Sequence, residues 1–365
     1  MAFTLLDYAW LLFMLLPVMA TLLPLIKHDH WVFRIFDFPR LQIAIISIIC
    51  LPINLIFANA HHQGFWLLAL INVLCLIYQT KQIIAYTRLS KPEVLRYKGA
   101  DDDRTISLLI SNVLTENRQA HLLLEQIHRL QPDIVLTLES DDWWQAQLDV
   151  LEQEGYEHTI KIPLDNLYGM HLYSRLRLAD SEIRHWVTED IPSIKSKLQL
   201  RSGEWIYIYC LHPMPPSPTE AATATDRDAE LLLVGREIEF MDKPVLVFGD
   251  LNDVAWSSTS RLFQKISGLL DPRKGRGFFN TFHAKYPLFR WPLDHIFHSH
   301  DFMMKDIQIL SDVGSDHFPV YGKFQYQPST TLLQEEPEAD KDDNQEALDK
   351  IAKSDPNKEV VAQKY

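Results

Sequence analysis

The ten residues "PVLVFGDLND", Pro244–Asp253, decide the fold of the soluble part of this chain. Four apolar residues, which predict a buried strand, lead directly into Gly, Asp, Leu, Asn and Asp. A second run, "VGSDHFPVYG" at 313–322, places Asp316 and His317 ahead of another apolar strand. Either run alone is compatible with an ordinary turn. Together they predict that polar side chains gather at one edge of a sheet.

Other apolar stretches between residues 104 and 325 also begin or end in polar residues. The stretch "ISLLISN" ends in Asn112, "DIVLTLE" ends in Glu139, and "IYIYCLH" ends in His212. Residues at sheet edges can converge from distant parts of a chain, so we expect these strand ends to share one site. The full set is Asn112, Glu139, His212, Asp250, Asn252, Asp294, Asp316 and His317.

The residue types in this set favour one kind of chemistry. Carboxylate and amide oxygens without cysteine are ligands for Mg²⁺ or Mn²⁺ rather than for zinc. Imidazoles beside carboxylates suit a base that activates water and a donor that stabilises a phosphate oxyanion. A single Asp at a strand end is usually a turn residue, whereas the whole set predicts a hydrolytic site.

The order of the predicted elements is that of an α/β protein. Amphipathic helices such as 116–131 alternate with the early strands, and the later part of the domain consists mostly of strands. This order predicts two sheets packed face to face with helices on the outside.

Three apolar stretches precede this domain, at residues 9–26, 41–60 and 64–80. A bilayer span takes about 20 residues, so each stretch is a candidate transmembrane helix. The alternative for the first stretch is a cleaved signal peptide, but no basic region precedes it and two further spans follow. Residues 1–99 are therefore predicted to be a membrane anchor with three transmembrane helices.

Basic residues flank only one side of these spans. They occur between the first two spans and after the third, whereas the N-terminus and the "HHQ" turn carry none. Positive charge is retained in the cytoplasm, so we expect a multi-pass protein of the cell (inner) membrane with its large domain on the cytoplasmic side. The basic residues are Lys27, Arg34, Arg40, Lys81, Arg88, Lys91, Arg96 and Lys98.

Charge and cysteine content argue against other classes of protein. The chain has a formal net charge of −13, and residues 100–325 carry 22 Lys and Arg against 34 Asp and Glu. Such a domain is a poor nonspecific nucleic-acid binder, because phosphate neutralisation needs clustered basic residues. Cys50, Cys75 and Cys210 lie in apolar runs, which predicts buried thiols rather than disulfides or a zinc site. Residues 326–365 are acidic and lack a core pattern, so we expect a disordered tail.

Several short motifs give the domain a family resemblance. "SNV", "PDIVLTLE", "YGMHLYSR", "LHPMPP", "GDLND", "PLDHIF" and "SDHFPV" occur in the order seen in the endonuclease/exonuclease/phosphatase superfamily. The resemblance covers about residues 104–325, and the spans together with "HPMPP" resemble the bacterial membrane-anchored branch. It implies a four-layer α/β sandwich, in which two packed mixed sheets are flanked by helices. The catalytic domain is then expected at 100–325.

The resemblance also implies roles for the strand-end residues. Glu139 is the expected principal metal ligand, with Asn112 and Asp316 completing the metal site. His317 is the expected imidazole at the scissile phosphate, oriented by Asp294. Three further roles are implied: Asp250 handles the attacking water, while Asn252 and His212 hold phosphate oxygens.

Additional residues are candidates for substrate binding. The loop "DPRKGRGFF" at 271–279 contains Arg273, Lys274 and Arg276, which are compatible with either a phosphate clamp or a solvated loop. Arg290 lies close to a catalytic strand, and Tyr168 lies near the position of a tyrosine in relatives.

The superfamily contains nucleases and lipid enzymes, so the fold leaves the substrate open. We expect a membrane-anchored, metal-dependent phosphodiesterase or phosphatase that acts on a lipid-linked or soluble phosphoester. The alternatives are a membrane-anchored nuclease and a noncatalytic membrane scaffold. The bilayer and the phosphoester, with nucleic acid possible, are the expected partners, and the sequence implies no obligate protein partner.

Overall fold

The computed structural model describes residues 5–57 and 63–354. Its helices are α1 (Leu5–Leu22), α2 (Trp31–Arg34), α3 (Arg40–Phe57), α4 (Gln63–Ile83), α5 (Ala120–Leu130), α6 (Asp142–Leu148), α7 (Thr225–Glu239), α8 (Ser258–Ser267) and α9 (Lys341–Ser354). Its strands are β1 (Thr105–Asn112), β2 (Ile134–Leu138), β3 (His158–Ile162), β4 (Met170–Ser174), β5 (Leu178–Arg184), β6 (Ser193–Gln199), β7 (Trp205–Leu211), β8 (Val245–Asp250), β9 (Asp294–His298), β10 (Phe302–Ile309) and β11 (Val320–Tyr326).

The strands form two mixed sheets. One has the order β10-β11-β1-β2-β4-β3, and the other has the order β5-β6-β7-β8-β9. Each sheet contains one parallel pair of strands joined by a crossover helix: β1 and β2 are joined through α5, and β7 and β8 through α7. The neighbouring pairs β1–β11 and β8–β9 are antiparallel.

The sheets pack against each other through alternate side chains. Ile106, Leu108 and Ile110 of β1 enter the same fully buried cluster as Leu246 and Phe248 of β8. Because successive side chains of a strand point to opposite faces, the intervening residues face the outer helices. The outer clusters hold α5 and α6 against one sheet and α7 and α8 against the other. The predicted sandwich of two packed mixed sheets flanked by helices is therefore confirmed.

The N-terminal helices are long and apolar. The segments Leu5–Leu25 and Gly64–Tyr86 are each long and apolar enough to cross a membrane. A third candidate is bent by 71° between Trp31–Asp37 and Arg40–Asn54. The predicted second span at 41–60 corresponds to α3, and its last three residues lie outside the described part of the chain. Cys50 and Cys75 are buried among these helices and Cys210 lies between the two sheets; all three are free thiols.

The expected disordered tail is wrong for residues 341–354, which form helix α9. Ala347 and Ile351 are fully buried against α7 and α8. Lys350 adds a buried ion pair to Asp228 of α7, with its Nζ atom 2.6 Å from Asp228 Oδ2. One helical turn of apolar residues is too short a pattern to predict a core element, and only the surface of α7 and α8 gives it a partner. Residues 355–365 of the predicted tail lie outside the described residues.

Candidate active site and metal centre

The carboxyl ends of the two parallel strand pairs supply the candidate site. Asn112 ends β1 and Glu139 follows β2, while His212 follows β7 and Asp250 ends β8. Parallel strands direct their carboxyl ends to the same edge of a sheet, which explains why four distant segments contribute here. Asn112 Nδ2 donates to Glu139 Oε1 at 2.7 Å and to Asp250 Oδ2 at 3.2 Å, so the polar edges of the two sheets meet.

A glycine allows this approach within the second sheet. Gly249 has a φ of +145°, and a Cβ placed on it would lie 2.0 Å from the carbonyl oxygen of Leu211. Only glycine fits this position, because any side chain would collide with the backbone at the end of β7. The "GD" in the quoted stretch thus brings Asp250 level with His212.

The antiparallel strands bring the remaining residues to the same edge. Asp294 begins β9 and pairs directly with Asp250 across the strands. His317 lies just ahead of β11, which runs antiparallel to β1. His317 Nδ1 contacts Asp294 Oδ2 at 2.8 Å, and His317 Nε2 lies 3.5 Å from Asp250 Oδ2. The imidazole is therefore held between two buried carboxylates.

This arrangement fixes the charge of the imidazole. Burial lowers the pKa of His317, but the negative charges of Asp250 and Asp294 more than offset it and raise the pKa to about 10. Burial raises the pKa of Asp294, whereas the pKa of Asp250 is lowered despite burial, chiefly by the charge of His317. The two carboxylates differ because Asp250 also accepts hydrogen bonds from Asn112 and from the Asn252 amide, while Asp294 Oδ1 is buried without a hydrogen-bond partner. At neutral pH His317 is a cation and suits the role of a proton or hydrogen-bond donor.

Glu139 lies in a different electrostatic environment. Burial raises its pKa to about 7, with Asp316 and Asp250 adding to the increase, although the Asn112 hydrogen bond and the His317 charge oppose it. Its backbone is in the left-handed region, with a φ of +57°, an arrangement that is costly outside glycine and is often found at functional sites. Glu139 and Asp316 line the same cleft as His317, so two carboxylates face a space in which that imidazolium is an opposing charge.

The oxygen donors at this point fit a hard divalent cation. Glu139 and Asp316 would hold Mg²⁺ or Mn²⁺, and Asn112 is close enough to Glu139 to complete or orient the set. A second group, Asp250, Asp294 and His317, has ligand-type atoms within 4.8 Å of one another. That group is a poorer cation site, because a protonated imidazole has no free ring nitrogen with which to bind a metal. Glu139 and Asp316 are therefore the residues that would hold the cation.

His212 and Asn252 complete the polar part of the site. Burial lowers the pKa of His212 to about 4, and its Nδ1 atom is buried without a hydrogen-bond partner. A neutral imidazole of this kind can donate one hydrogen bond to an anion. Asn252, with a φ of +51°, is held by its side-chain donation to the Pro213 carbonyl oxygen at 2.9 Å.

These polar residues open into a cleft with a volume of about 680 Å³. Glu139, Asn252, Asp316 and His317 line it together with Tyr168, whose hydroxyl donates to Glu220 and whose ring packs on His212 with centroids 5.3 Å apart. The rest of the wall is largely apolar, and sequence analysis missed it. Its apolar members are Trp31, Ile35, Phe36, Phe38, Pro39, Leu167, Pro215, Pro216, Pro218, Phe282, Phe289, Trp291 and Leu293.

The structure contradicts the phosphate-clamp interpretation of the basic loop. Arg273 is buried and donates to both carboxylate oxygens of Asp271 at 2.9 and 2.8 Å, which makes it a structural ion pair. Lys274 pairs with Glu93 at 2.6 Å, and Arg276 donates to the backbone carbonyl oxygen of Pro272 at 3.0 Å. Asp271 and Pro272 belong to the same loop, but the sequence does not show that the basic side chains turn back onto them.

Arg290 also serves the scaffold. Its guanidinium donates to the carbonyl oxygen of Ala284 at 2.6 Å and lies 4.9 Å from the centroid of the Phe318 ring. The Ala284 amide in turn donates to the carbonyl oxygen of Asp316 at 2.7 Å. Arg290 therefore braces the loop that carries Asp316 and does not line the cleft. The expectation that it contacts substrate therefore has no support from its position.

Comparison with known proteins identifies the family. Residues 109–317 match the model of the Endonuclease/Exonuclease/phosphatase family. The catalytic domain of human Nocturnin with bound sulfate anion is 18% identical with a TM-score of 0.51, and the match covers 62% of this chain and 97% of that chain. TDP2 of D. rerio complexed with single strand DNA product is also 18% identical with a TM-score of 0.51, covering 60% of this chain and 99% of that chain. At 18% sequence identity, these matches show that the chain shares a fold with those proteins.

No curated protein shows a significant match to this sequence. The family match nevertheless spans more than half of the chain and runs from β1 to the loop that carries His317. This chain belongs to the Endonuclease/Exonuclease/phosphatase family.

Proposed function

We propose that this protein is a membrane-anchored phosphoester hydrolase that depends on Mg²⁺ or Mn²⁺. The observation that carries the proposal is the separation of charge within one cleft. Glu139 and Asp316 offer carboxylates to a cation, while His317, held between two carboxylates, offers a proton. A cation that neutralises charge on the phosphate and a positioned proton donor both lower the barrier to phosphoester hydrolysis.

The roles of the protein's own groups follow from this arrangement. A bound cation would polarise a nonbridging phosphate oxygen and neutralise the charge that develops there. Asp250 orients the attacking water and accepts its proton, and His317 donates to a phosphate oxygen while Asp294 holds its ring in place. The neutral His212 and the side-chain amide of Asn252 supply further hydrogen bonds to the phosphate.

The membrane location is part of the proposal. The segments Leu5–Leu25 and Gly64–Tyr86 are apolar enough to span a bilayer, and the bent pair that includes α3 would add a third span. The basic residues that flank these spans support a catalytic domain on the cytoplasmic side of the cell (inner) membrane.

The test is hydrolysis of bis-p-nitrophenyl phosphate by the intact protein in detergent, with and without EDTA. We expect activity that EDTA abolishes and that Mg²⁺ or Mn²⁺ restores. Glu139→Gln and His317→Ala should each lower kcat by about 10² or more, because each removes a group that acts on the transition state. Activity that resists EDTA, or near-wild-type turnover in both variants, would overturn the proposal.

A further inference from the structure

One wall of the catalytic cleft comes from outside the family domain. Trp31, Ile35, Phe36, Phe38 and Pro39 line the same cleft as His317. These residues form the first arm and the break of the bent helix pair Trp31–Asp37 and Arg40–Asn54, whereas the family match begins only at residue 109. The cleft is therefore completed by the membrane anchor.

The segment is fixed to the catalytic domain by specific hydrogen bonds. Trp256 Nε1, which is buried, donates to the carbonyl oxygen of Asp37 at 2.7 Å. The Trp31 amide donates to the carbonyl oxygen of Ala222 at 3.0 Å, and the Ala224 amide donates to that of Asp29 at 2.7 Å. These hydrogen bonds hold the segment 29–37 at both ends, which positions its apolar side chains against the site.

An aromatic series connects this wall to the catalytic imidazole. The ring of Phe282 lies 4.9 Å from that of His317 and 6.4 Å from that of Trp291, measured between centroids. The Trp291 ring centroid in turn lies 5.7 Å from that of Phe38, at the break of the bent helix pair, and 6.2 Å from that of Phe289. The apolar surface thus begins beside the reacting group and continues to the membrane segment.

The outer end of this surface is exposed next to a candidate span. Ile35, Leu288 and Phe289 are 50%, 78% and 57% exposed. Gln42, in the first turns of α3, donates to the carbonyl oxygen of Leu288 at 2.9 Å. Exposed apolar patches of this kind mark membrane contacts or ligand grooves, and here the patch adjoins α3, one arm of the bent helix pair that is together long and apolar enough to cross a membrane.

The cleft also lacks the feature that a nucleic acid needs. Among the described residues that line it there is no lysine or arginine. A polynucleotide presents many phosphates, and proteins neutralise them with basic side chains. A single phosphoester with a hydrocarbon substituent matches this lining better, because one cation and His317 suffice for its charge.

We infer that the substrate is an amphiphilic phosphoester, a lipid whose hydrocarbon part lies against the wall formed by Trp31, Ile35, Phe36, Phe38 and Phe289. The phosphate would enter from the bilayer surface and reach Glu139, Asp316 and His317. This inference rests on the proposed hydrolase function and adds the class of substrate.

The experiment uses intact protein in detergent micelles and p-nitrophenyl phosphodiesters with ethyl, octyl or hexadecyl substituents. Wild-type kcat/KM should rise with chain length. In Ile35→Ser, the ratio of kcat/KM for the hexadecyl ester to that for the ethyl ester should fall about tenfold, which corresponds to about 1.4 kcal/mol. Phe289→Ser should lower the same ratio, and since both side chains are half exposed, neither change should prevent folding.

Val32→Ser is the matched control, because Val32 is on the same segment and 39% exposed but does not line the cleft. Its hexadecyl-to-ethyl ratio should stay at the wild-type value. Equal kcat/KM values for the three esters in the wild type would overturn the inference while leaving the hydrolase function intact. Equal losses of the hexadecyl-to-ethyl ratio in Ile35→Ser and Val32→Ser would do the same. Preferential cleavage of plasmid DNA over the hexadecyl ester would also overturn it. Failure of the wild type to hydrolyse any ester would overturn the hydrolase function itself.

Discussion

Replacing Asp294 with Asn tests the charge that the structure assigns to His317. The pKa of His317 is raised from 6.5 to about 10 by Asp250 and Asp294, against the opposing effect of burial. Removing one of these carboxylates while leaving the imidazole buried should undo at least half of this increase in the pKa of His317. We therefore expect the pKa to fall by about 2 units, each of which corresponds to about 1.4 kcal/mol less stabilisation of the cation.

The assay is the dependence of kcat/KM on pH at one saturating metal concentration, so that any effect of the ion is common to both proteins. His317 acts as a donor only when protonated, so wild-type activity should persist until the pH approaches about 10 and fall above it. In Asp294→Asn the fall should begin about 2 units lower, and the plateau should drop by about 10² because the ring also loses its orienting partner. Asp306→Asn, a carboxylate of β10 outside the site, is the control. An unchanged alkaline limb in Asp294→Asn would refute the assignment of His317 as a protonated donor.

Three further predictions test the scaffold around the site. Lys350→Met should lower the free energy of unfolding by about 3 kcal/mol, because it removes an ion-pair partner from the buried carboxylate of Asp228. Lys341→Met, at the exposed start of the same helix, should change this free energy by no more than about 0.5 kcal/mol. Equal denaturation midpoints for the two variants would contradict the docking of α9. Lys274→Ala should change kcat/KM by less than about threefold, because its partner is a carboxylate of the scaffold; a loss of about 10² would restore the phosphate-clamp interpretation. Gly249→Ala should cost about 3 kcal/mol or more and abolish hydrolysis, since its Cβ would lie 2.0 Å from the Leu211 carbonyl oxygen; a fully stable and active variant, measured by thermal melting and nitrophenol release, would exclude that close approach.

The fold could be predicted because its strands can be recognised from short stretches of sequence. Runs such as "TISLLISN" and "PVLVFGD" are too apolar for exposed loops and too short for buried helices. The strand ends could be singled out for the same reason, since Asn112 and Asp250 interrupt apolar runs. Parallel pairing then explains why the structure brings them together, with Asn112 3.2 Å from Asp250.

Other features depend on partners that a sequence does not display. Arg273 looks like a substrate ligand until its buried partner Asp271 is seen, and α9 looks like a solvated tail until its surface on α7 and α8 is known. The apolar wall around Ile35 was missed because a short segment between two spans was interpreted only for its charge.

The most direct test of the central claim is the number of Mn²⁺ ions bound by the intact protein, measured by electron paramagnetic resonance in detergent. If the strand ends form one site for a divalent cation, the wild type should bind Mn²⁺ at a site that Mg²⁺ displaces, and Glu139→Gln should lose it. Retention of that site in Glu139→Gln, or no bound Mn²⁺ in the wild type, would contradict the account.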